Sequence, residues 1–293
     1  MKLIKKCINT NKDDLNILSI SDLHICENKD VKLFKKIINY INNNQIDIVC
    51  VIGDIIDSTK TLDNIYLKDK LINFFIDLSK FSKIYIVLGN HDLGYFKDKK
   101  WLCDDKRFYD EVIKKIINYN NIYYLNNNTL NINDEYTISG IFMPYNYANH
   151  DYEGDENVFK DELNKINFIN NLDNNKENIL ICHYPKTIFN LEKLGYLDNF
   201  KLIIAGHNHS GVTQNILLEF IINIFDKNKG IITPSKSMKI KDTKNMRGII
   251  KLSNNKVFII NPSITTFGKT SSIFRIFNRF FYMGASLIKF IKK

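Results

Sequence analysis

The sequence contains no run of about 20 consecutive apolar residues, so it offers no helix that would span a bilayer. Cysteine is sparse and odd in number: Cys7, Cys26, Cys50, Cys103 and Cys182, with no Cys-x-x-Cys pair among them. That pattern leaves out a disulfide framework and a closed structural zinc site, and it fits a reducing cytoplasm. Four prolines, twelve glycines and no Pro/Ser/Gly-rich stretch mark no linker, and no fixed-period repeat is present. One domain is expected over residues 1–268, with an insertion at about 212–245 and a tail at 269–293. The opening stretch MKLIKKCINTNKDDLN is charged and lacks the apolar core of a secretory signal.

Acidic residues are almost missing from one end. Residues 227–293 carry 15 Lys/Arg against a single acid, Asp242, whereas residues 1–226 carry 26 against 31. The net charge of +9 is therefore a C-terminal property. Such asymmetry points to an anionic partner for that end, a membrane surface or a nucleic acid.

What is present is a series of short apolar, β-branched runs, each ending at a polar turn: Leu15 to Ile20, Asp47 to Ile52, Lys83 to Leu88, Asn178 to Cys182 and Lys201 to Ala205. Between the first three lie amphipathic segments of helical length, Asp30 to Asn43 and Ile65 to Leu78. Alternating strand and helix implies parallel pairing through right-handed crossovers. Thr129 to Asn133 with Glu135 to Gly140, and Arg247 to Leu252 with Lys256 to Ile260, read as hairpins, and Val158 to Leu172 as a helix. The expectation is an α/β layered fold of about ten strands in two sheets.

Polar residues fall at the carboxyl ends of those strands. Asp22 and His24 follow the first, Gly53-Asp54 the second, Gly89-Asn90-His91 the third, His183 the fourth, and Gly206-His207-Asn208-His209 the fifth. In α/β sheets that edge forms the ligand crevice, because neighbouring strand ends bring distant residues together. Imidazole and carboxylate without thiolate suit Mn, Fe, Zn or Co in a catalytic site. Asp-x-His and His-x-His on extended backbone turn both side chains to one side, and a carboxylate such as Asp54 can bridge two ions about 3.5 to 4 Å apart. A lone buried histidine is ordinarily a core residue, but five of the six histidines fall in these turns and only His150 lies elsewhere.

In order and spacing, Asp22-Leu-His24, Gly53-Asp54-Ile-Ile-Asp57, Gly89-Asn90-His91-Asp92, His183 and Gly206-His207-Asn208-His209 resemble the motifs of calcineurin-like metallophosphoesterases. The resemblance covers roughly residues 15 to 262 and implies a four-layer α/β/β/α sandwich of two mixed sheets. It implies two divalent metal ions, one held by Asp22, His24, Asp54 and His209 and the other by Asp54, Asn90, His183 and His207. It gives His91 the role of hydrogen-bonding the phosphoryl oxygen or protonating the leaving group, and the implied reaction is hydrolysis of a phosphoester substrate. Asp57 and Asp92 are as well explained by a helix cap or a surface ion pair and are left out of the site.

The short form, with Arg247-Gly248 and Ile-Thr-Thr-Phe-Gly at 264–268, is similar to bacterial membrane-associated phosphoesterases that act on lipid-linked or sugar-nucleotide phosphoesters. On a helix, Arg275, Arg279, Tyr282, Ser286, Lys289 and Lys293 share one face, and Ile273, Phe277, Phe280, Gly284, Leu287 and Ile291 the other. A basic amphipathic helix of this kind lies on an anionic membrane, which would place the protein peripherally on the inner face of the cell membrane. The alternative for Ala285 to Ile291 is a closing edge strand. A nuclease or cyclic-nucleotide phosphodiesterase is the first competing function. Nucleic acid is disfavoured because no second DNA-binding domain is legible and the basic residues alternate with apolar ones. A non-catalytic scaffold is the second, and no ligand is missing to favour it.

Overall fold

The computed structural model describes residues 2–98, 100–144, 147, 156–208, 248–252, 256–262, 264 and 284–293. Fourteen strands occur among them: β1 Lys2–Thr10, β2 Leu15–Ile20, β3 Ile48–Ile52, β4 Lys83–Val87, β5 Gly94–Lys97, β6 Lys100–Cys103, β7 Ile122–Tyr124, β8 Asn128–Asn131, β9 Tyr136–Ile141, β10 Glu177–Cys182, β11 Phe200–Ala205, β12 Gly248–Lys251, β13 Val257–Ile260 and β14 Gly284–Lys292. The helices are α1 Val31–Asn42, α2 Ile65–Ser79, the single turn α3 Lys114–Ile116, α4 Glu156–Leu163 and α5 Pro185–Lys193.

β3 reads Ile-Val-Cys-Val-Ile and is buried at every position, as a parallel strand covered on both faces must be. Its neighbours complete a six-stranded sheet in the order β1-β14-β2-β3-β4-β7, parallel except where β14 meets β2. The second six-stranded sheet runs β12-β13-β11-β10-β9-β8, with antiparallel pairs only at its two edges. Both expected hairpins are present as these edges.

Three apolar clusters fix the layers. Leu18, Ile20, Val49 and Ile84 of the first sheet pack on Phe34 and Ile37 of α1 and Leu71 and Phe74 of α2. Ile17, Cys50, Tyr85 and Ile288 turn the other way and meet Ile138, Ile181 and Ile204 of the second sheet. Leu180, Ile203 and Phe258 face Phe159 of α4 and Ile188 and Leu191 of α5. These clusters place helices on the outer faces of the two sheets, which is compatible with the four-layer sandwich that the resemblance implied. α2 begins where the Asn64 side chain accepts a hydrogen bond from Leu67 N, and its Phe74 ring stacks on Phe34 at 4.3 Å. Truncating Phe74 to alanine would cost about 3–5 kcal/mol.

The C-terminal segment corrects the sequence reading. Residues 284–292 are a strand, not half of an amphipathic helix, and not an edge strand, since β14 lies between β1 and β2. The reason is a period of two. Ala285 and Leu287 join the cluster under α1 and α2, while Ile288 and Phe290 enter the cluster between the sheets. Ser286 shares the inner face and donates from Oγ to Asn261 Oδ1, which helps hold the strand in register. Residues 284–292 thus belong to the body of the domain, and Lys292 Nζ pairs with Asp13 at 2.7 Å. The remainder of the expected tail, 269–283, and the insertion at 212–245 lie outside the described residues.

Further elements escaped the sequence reading. Strands β1 and β7 and helix α5 were not anticipated, and β5 and β6 form a two-stranded hairpin that the sequence reading did not name. The hairpin starts one residue after a 3-10 turn, His91–Leu93.

Candidate metal centre

The turns after β2, β3, β4, β10 and β11 converge where the two sheets meet. Backbone bonds join the first two turns, from Asp22 N to Gly53 O at 3.0 Å and from His24 N to Asp54 O at 3.0 Å. Gly206 N donates to His183 O at 3.1 Å and joins the last two. Between these turns, bonds cross from one sheet to the other: His207 N donates to Asp22 Oδ1 at 3.1 Å, and His183 Nδ1 donates to Ile52 O at 2.9 Å.

This convergence holds the backbone in a conformation that most residues avoid. Asp22, His24, Asp54 and His207 have φ of 54°, 43°, 51° and 67°, all in the left-handed region. Each costs about 1 kcal/mol or more unless the surroundings enforce it, and such residues gather at functional sites. The glycines are required by space. A Cβ on Gly89 would lie 2.3 Å from Asp54 Oδ1 and 2.7 Å from His183 Nε2, and one on Gly53 would lie 2.5 Å from His183 Nδ1.

Two sets of ligand atoms result, with the members of each set within 4.8 Å of one another: Asp22, His24 and Asp54, and Asp54, His183 and His207. Every member is buried, and Asp54 is in both. His183 Nδ1 is committed to a carbonyl, so its Nε2 faces inward, 3.3 Å from Asp54 Oδ2 and 3.2 Å from His207 Nδ1. Asn90 follows β4 at the same edge, and its buried Oδ1 has no hydrogen-bond partner among the described residues. Carboxylate, imidazole and amide oxygen without thiolate fit Mn, Fe, Co or Zn in an open hydrolytic site, and an oriented but unpaired buried amide oxygen fits a ligand position. His209 lies outside the described residues.

Electrostatics agree with that use. Burial alone would raise the Asp54 carboxyl, but the charges of His183, His91 and His24 outweigh it and hold the group well below the usual carboxylate range. Burial alone would lower His183, yet the adjoining Asp54 carries it up to about 9.

His91 stands at the rim of these sets. Its backbone N donates to Asp54 Oδ1 at 2.9 Å, and its Nδ1 donates to Asp57 O at 2.6 Å. The second bond fixes the tautomer and gives proton exchange to Nε2. Its ring meets His24 edge-on, with centroids 4.5 Å apart.

Sequence reasoning left out two residues that the fold brings in. Asp57 joins His24 and His91 in a third set of neighbouring ligand atoms, its Oδ1 3.7 Å from His24 Nδ1. Asp92 is fully buried and acts as a clip: Oδ1 accepts from Ile55 N at 2.9 Å and Ile56 N at 3.1 Å, and Oδ2 from Gly89 N at 2.9 Å. It thereby holds the turn after β3 to the turn after β4. Burial and the nearby Asp54 push its carboxyl up to about 7, against the backbone N–H groups that favour the anion. Asp57 lies three positions after the candidate ligand Asp54 and Asp92 two after Asn90, and that proximity was the available signal.

Comparison with known proteins follows the same lines. The calcineurin-like phosphoesterase family model matches residues 15–211. An uncharacterized metallophosphoesterase of Campylobacter jejuni is 28% identical over 204 residues, covering 68% of this chain and 45% of the relative. The chain thus spans about half the length of that relative. An uncharacterized metallophosphoesterase of Aquifex aeolicus is 26% identical over 242 residues, 79% of this chain and 78% of the relative. Among solved structures, a dimetal phosphatase from Danio rerio aligns with a TM-score of 0.49 and 10% identity over 85% of this chain and 87% of its own. With the family model covering most of the chain, the protein belongs to the calcineurin-like phosphoesterase family.

Proposed function

We propose that the protein hydrolyses phosphoester bonds with a pair of divalent cations. The observation that carries this reading is the sharing of Asp54 by two buried ligand sets, with His91 held at their rim. Asp22, His24, Asp54 and His209 would hold one cation, and Asp54, Asn90, His183 and His207 the other. Bound there, the cations supply Lewis acidity that activates water and neutralises charge on the phosphoryl oxygens.

The chain's own residues do the rest. The Asp57 carbonyl keeps the His91 proton on Nδ1 in the neutral ring, so Nε2 is the position that takes up a proton and returns it to the departing oxygen. The Asp92 clip keeps Asn90 and His91 in register with Asp54.

The surroundings favour an anionic substrate. The β5–β6 hairpin is rooted beside the turn that carries His91 and presents exposed Lys97 and Lys100, and Lys60 lies over the Tyr95 ring at 4.8 Å. Lipid-linked and sugar-nucleotide phosphoesters meet that description. A membrane-surface location keeps only the charge of residues 227–293 in its support, because the helix that was to lie on the membrane is in part β14. No helix among the described residues is long and apolar enough to cross a membrane.

The deciding assay takes metal-free protein, adds Mn, Fe, Co or Zn, and follows chromogenic phosphomonoesters and diesters. Metal-dependent turnover that Asp54→Ala abolishes is the expected result. Absence of turnover with every metal, or full activity in the variant, would leave a non-catalytic member of the family.

A further inference from the structure

Three rings meet at the second ligand set. Tyr184 follows His183 directly, and its ring stands edge-on to His183 with centroids 5.0 Å apart at 78° and to His207 at 5.0 Å and 62°. The two histidine rings are themselves 5.1 Å apart at 76°. Tyr184 is 3% exposed, and it also meets the buried Tyr147 ring edge-on, with centroids 5.2 Å apart at 72°.

The backbone beneath this ring is fixed. Tyr184 stands at the N-cap of α5, Pro185 occupies the first helical turn with its restricted φ, and Tyr184 O accepts from Thr187 N at 3.2 Å. The ring therefore has a rigid base and packed surroundings.

What it holds matters because of the nitrogens. His207 Nδ1 and His183 Nε2 lie within hydrogen-bond distance, 3.2 Å apart. Two nitrogens that both turn lone pairs toward one cation cannot keep that bond. His183 retains its anchor at Ile52 O in either state. The ring contact with Tyr184 engages neither nitrogen lone pair, so it persists for His207 when the mutual bond is given up.

We propose that Tyr184 is a positioning residue for the second cation, its ring setting the orientation of His207. This rests on the two-cation reading above. The Tyr184 hydroxyl has no hydrogen-bond partner among the described residues, so the work falls to the ring and phenylalanine should serve as well.

The test is calorimetric titration of metal-free protein with Co, without reference to activity. The wild type is expected to take up two equivalents. Tyr184→Leu should weaken the second by about tenfold or more, the range for residues that orient metal ligands, and leave the first within about twofold. Tyr184→Phe should restore both. Far-ultraviolet circular dichroism checks folding, and Tyr184→Met replaces the leucine variant if that one does not fold. Wild-type affinity for both equivalents in the leucine or methionine variant overturns the proposal, and so does a phenylalanine variant as weak as leucine. A wild type that binds fewer than two equivalents refutes the two-cation reading itself, and with it this role.

Discussion

Asp22 Oδ1 accepts the hydrogen bond of His207 N across 3.1 Å, so a single carboxylate is both a candidate cation ligand and the tie between turns of opposite sheets. The two roles can be separated. Asp22→Asn keeps an oxygen acceptor but removes the charge, and is expected to weaken cation binding by more than about tenfold at nearly unchanged stability of the metal-free protein. Asp22→Ala leaves the buried N–H of His207 without its acceptor and should cost a further 1–3 kcal/mol or so. Denaturant titration beside calorimetry checks both.

Asp92 should matter to the fold before it matters to the chemistry. Removing its carboxylate leaves three backbone donors, Ile55 N, Ile56 N and Gly89 N, without their acceptor in the interior. Asp92→Ala is expected to lower unfolding stability by about 3 kcal/mol or more, read from urea denaturation of metal-free protein. A loss under about 1 kcal/mol would show that the clip is dispensable.

The pH dependence follows from His183. Its folded-state value of about 9 lies above its ordinary 6.5, so without metal the imidazolium persists at neutral pH. The stabilisation it gains beside Asp54 is full below pH 6.5 and is lost as pH rises through 9. Cation binding must expel that proton, so apparent affinity should rise with pH over the same interval, by up to about tenfold per unit. Calorimetry in buffers of different ionisation enthalpy should show one proton released by His183, absent in His183→Ala.

Gly89→Ala tests the space beside Asp54. A methyl group 2.3 Å from Asp54 Oδ1 forces that carboxylate or the turn aside, and cation binding should fall by more than about tenfold. Gly195→Ala is the control for cation binding, because nothing lies within 4 Å of a Cβ there, although its φ of +75° costs about 1 kcal/mol or more of stability.

For the hairpin, Lys97→Glu with Lys100→Glu should raise KM several-fold on substrates with a second phosphate and leave kcat within about twofold, an effect that added salt diminishes. Equal KM changes on a substrate without the second phosphate would remove the hairpin from substrate recognition. For the C-terminal charge, Arg275→Glu with Arg279→Glu should reduce sedimentation with anionic vesicles.

Much of the site was legible because it obeys a local rule: an apolar run that stops at Gly-Asp, Gly-Asn-His or Gly-His marks a strand end, and strand ends share an edge. Asp54, Asn90 and His207 carry that glycine signal, Asp22, His24 and His183 are polar residues at the ends of other apolar runs, and the ligand set itself came from the resemblance. Asp92 and Tyr184 did not stand out, since the partners that give them meaning, Ile55 N and the His207 ring, lie far along the chain. β14 was misread because Gly284 to Lys293 continues the helical spacing of Arg275, Arg279 and Tyr282 while also fitting a strand. The choice was made by the vacancy between β1 and β2, which no local pattern reveals.

That placement has a consequence for the order of events during synthesis. β14 pairs with β1 along its whole length and with β2 on its other side, yet both partners are made more than 250 residues earlier. Until residues 284–292 leave the ribosome, β1 lacks the strand it pairs with among the described residues and β2 keeps one bare flank, directly below the turn that carries Asp22 and His24. Contacts of such long span are slow to form and leave sticky strand flanks exposed in the meantime. Helix α1 can settle early, whereas a fully braced turn after β2 must await residues 284–292, and conditions that slow synthesis of the chain between them should favour aggregation of nascent chains.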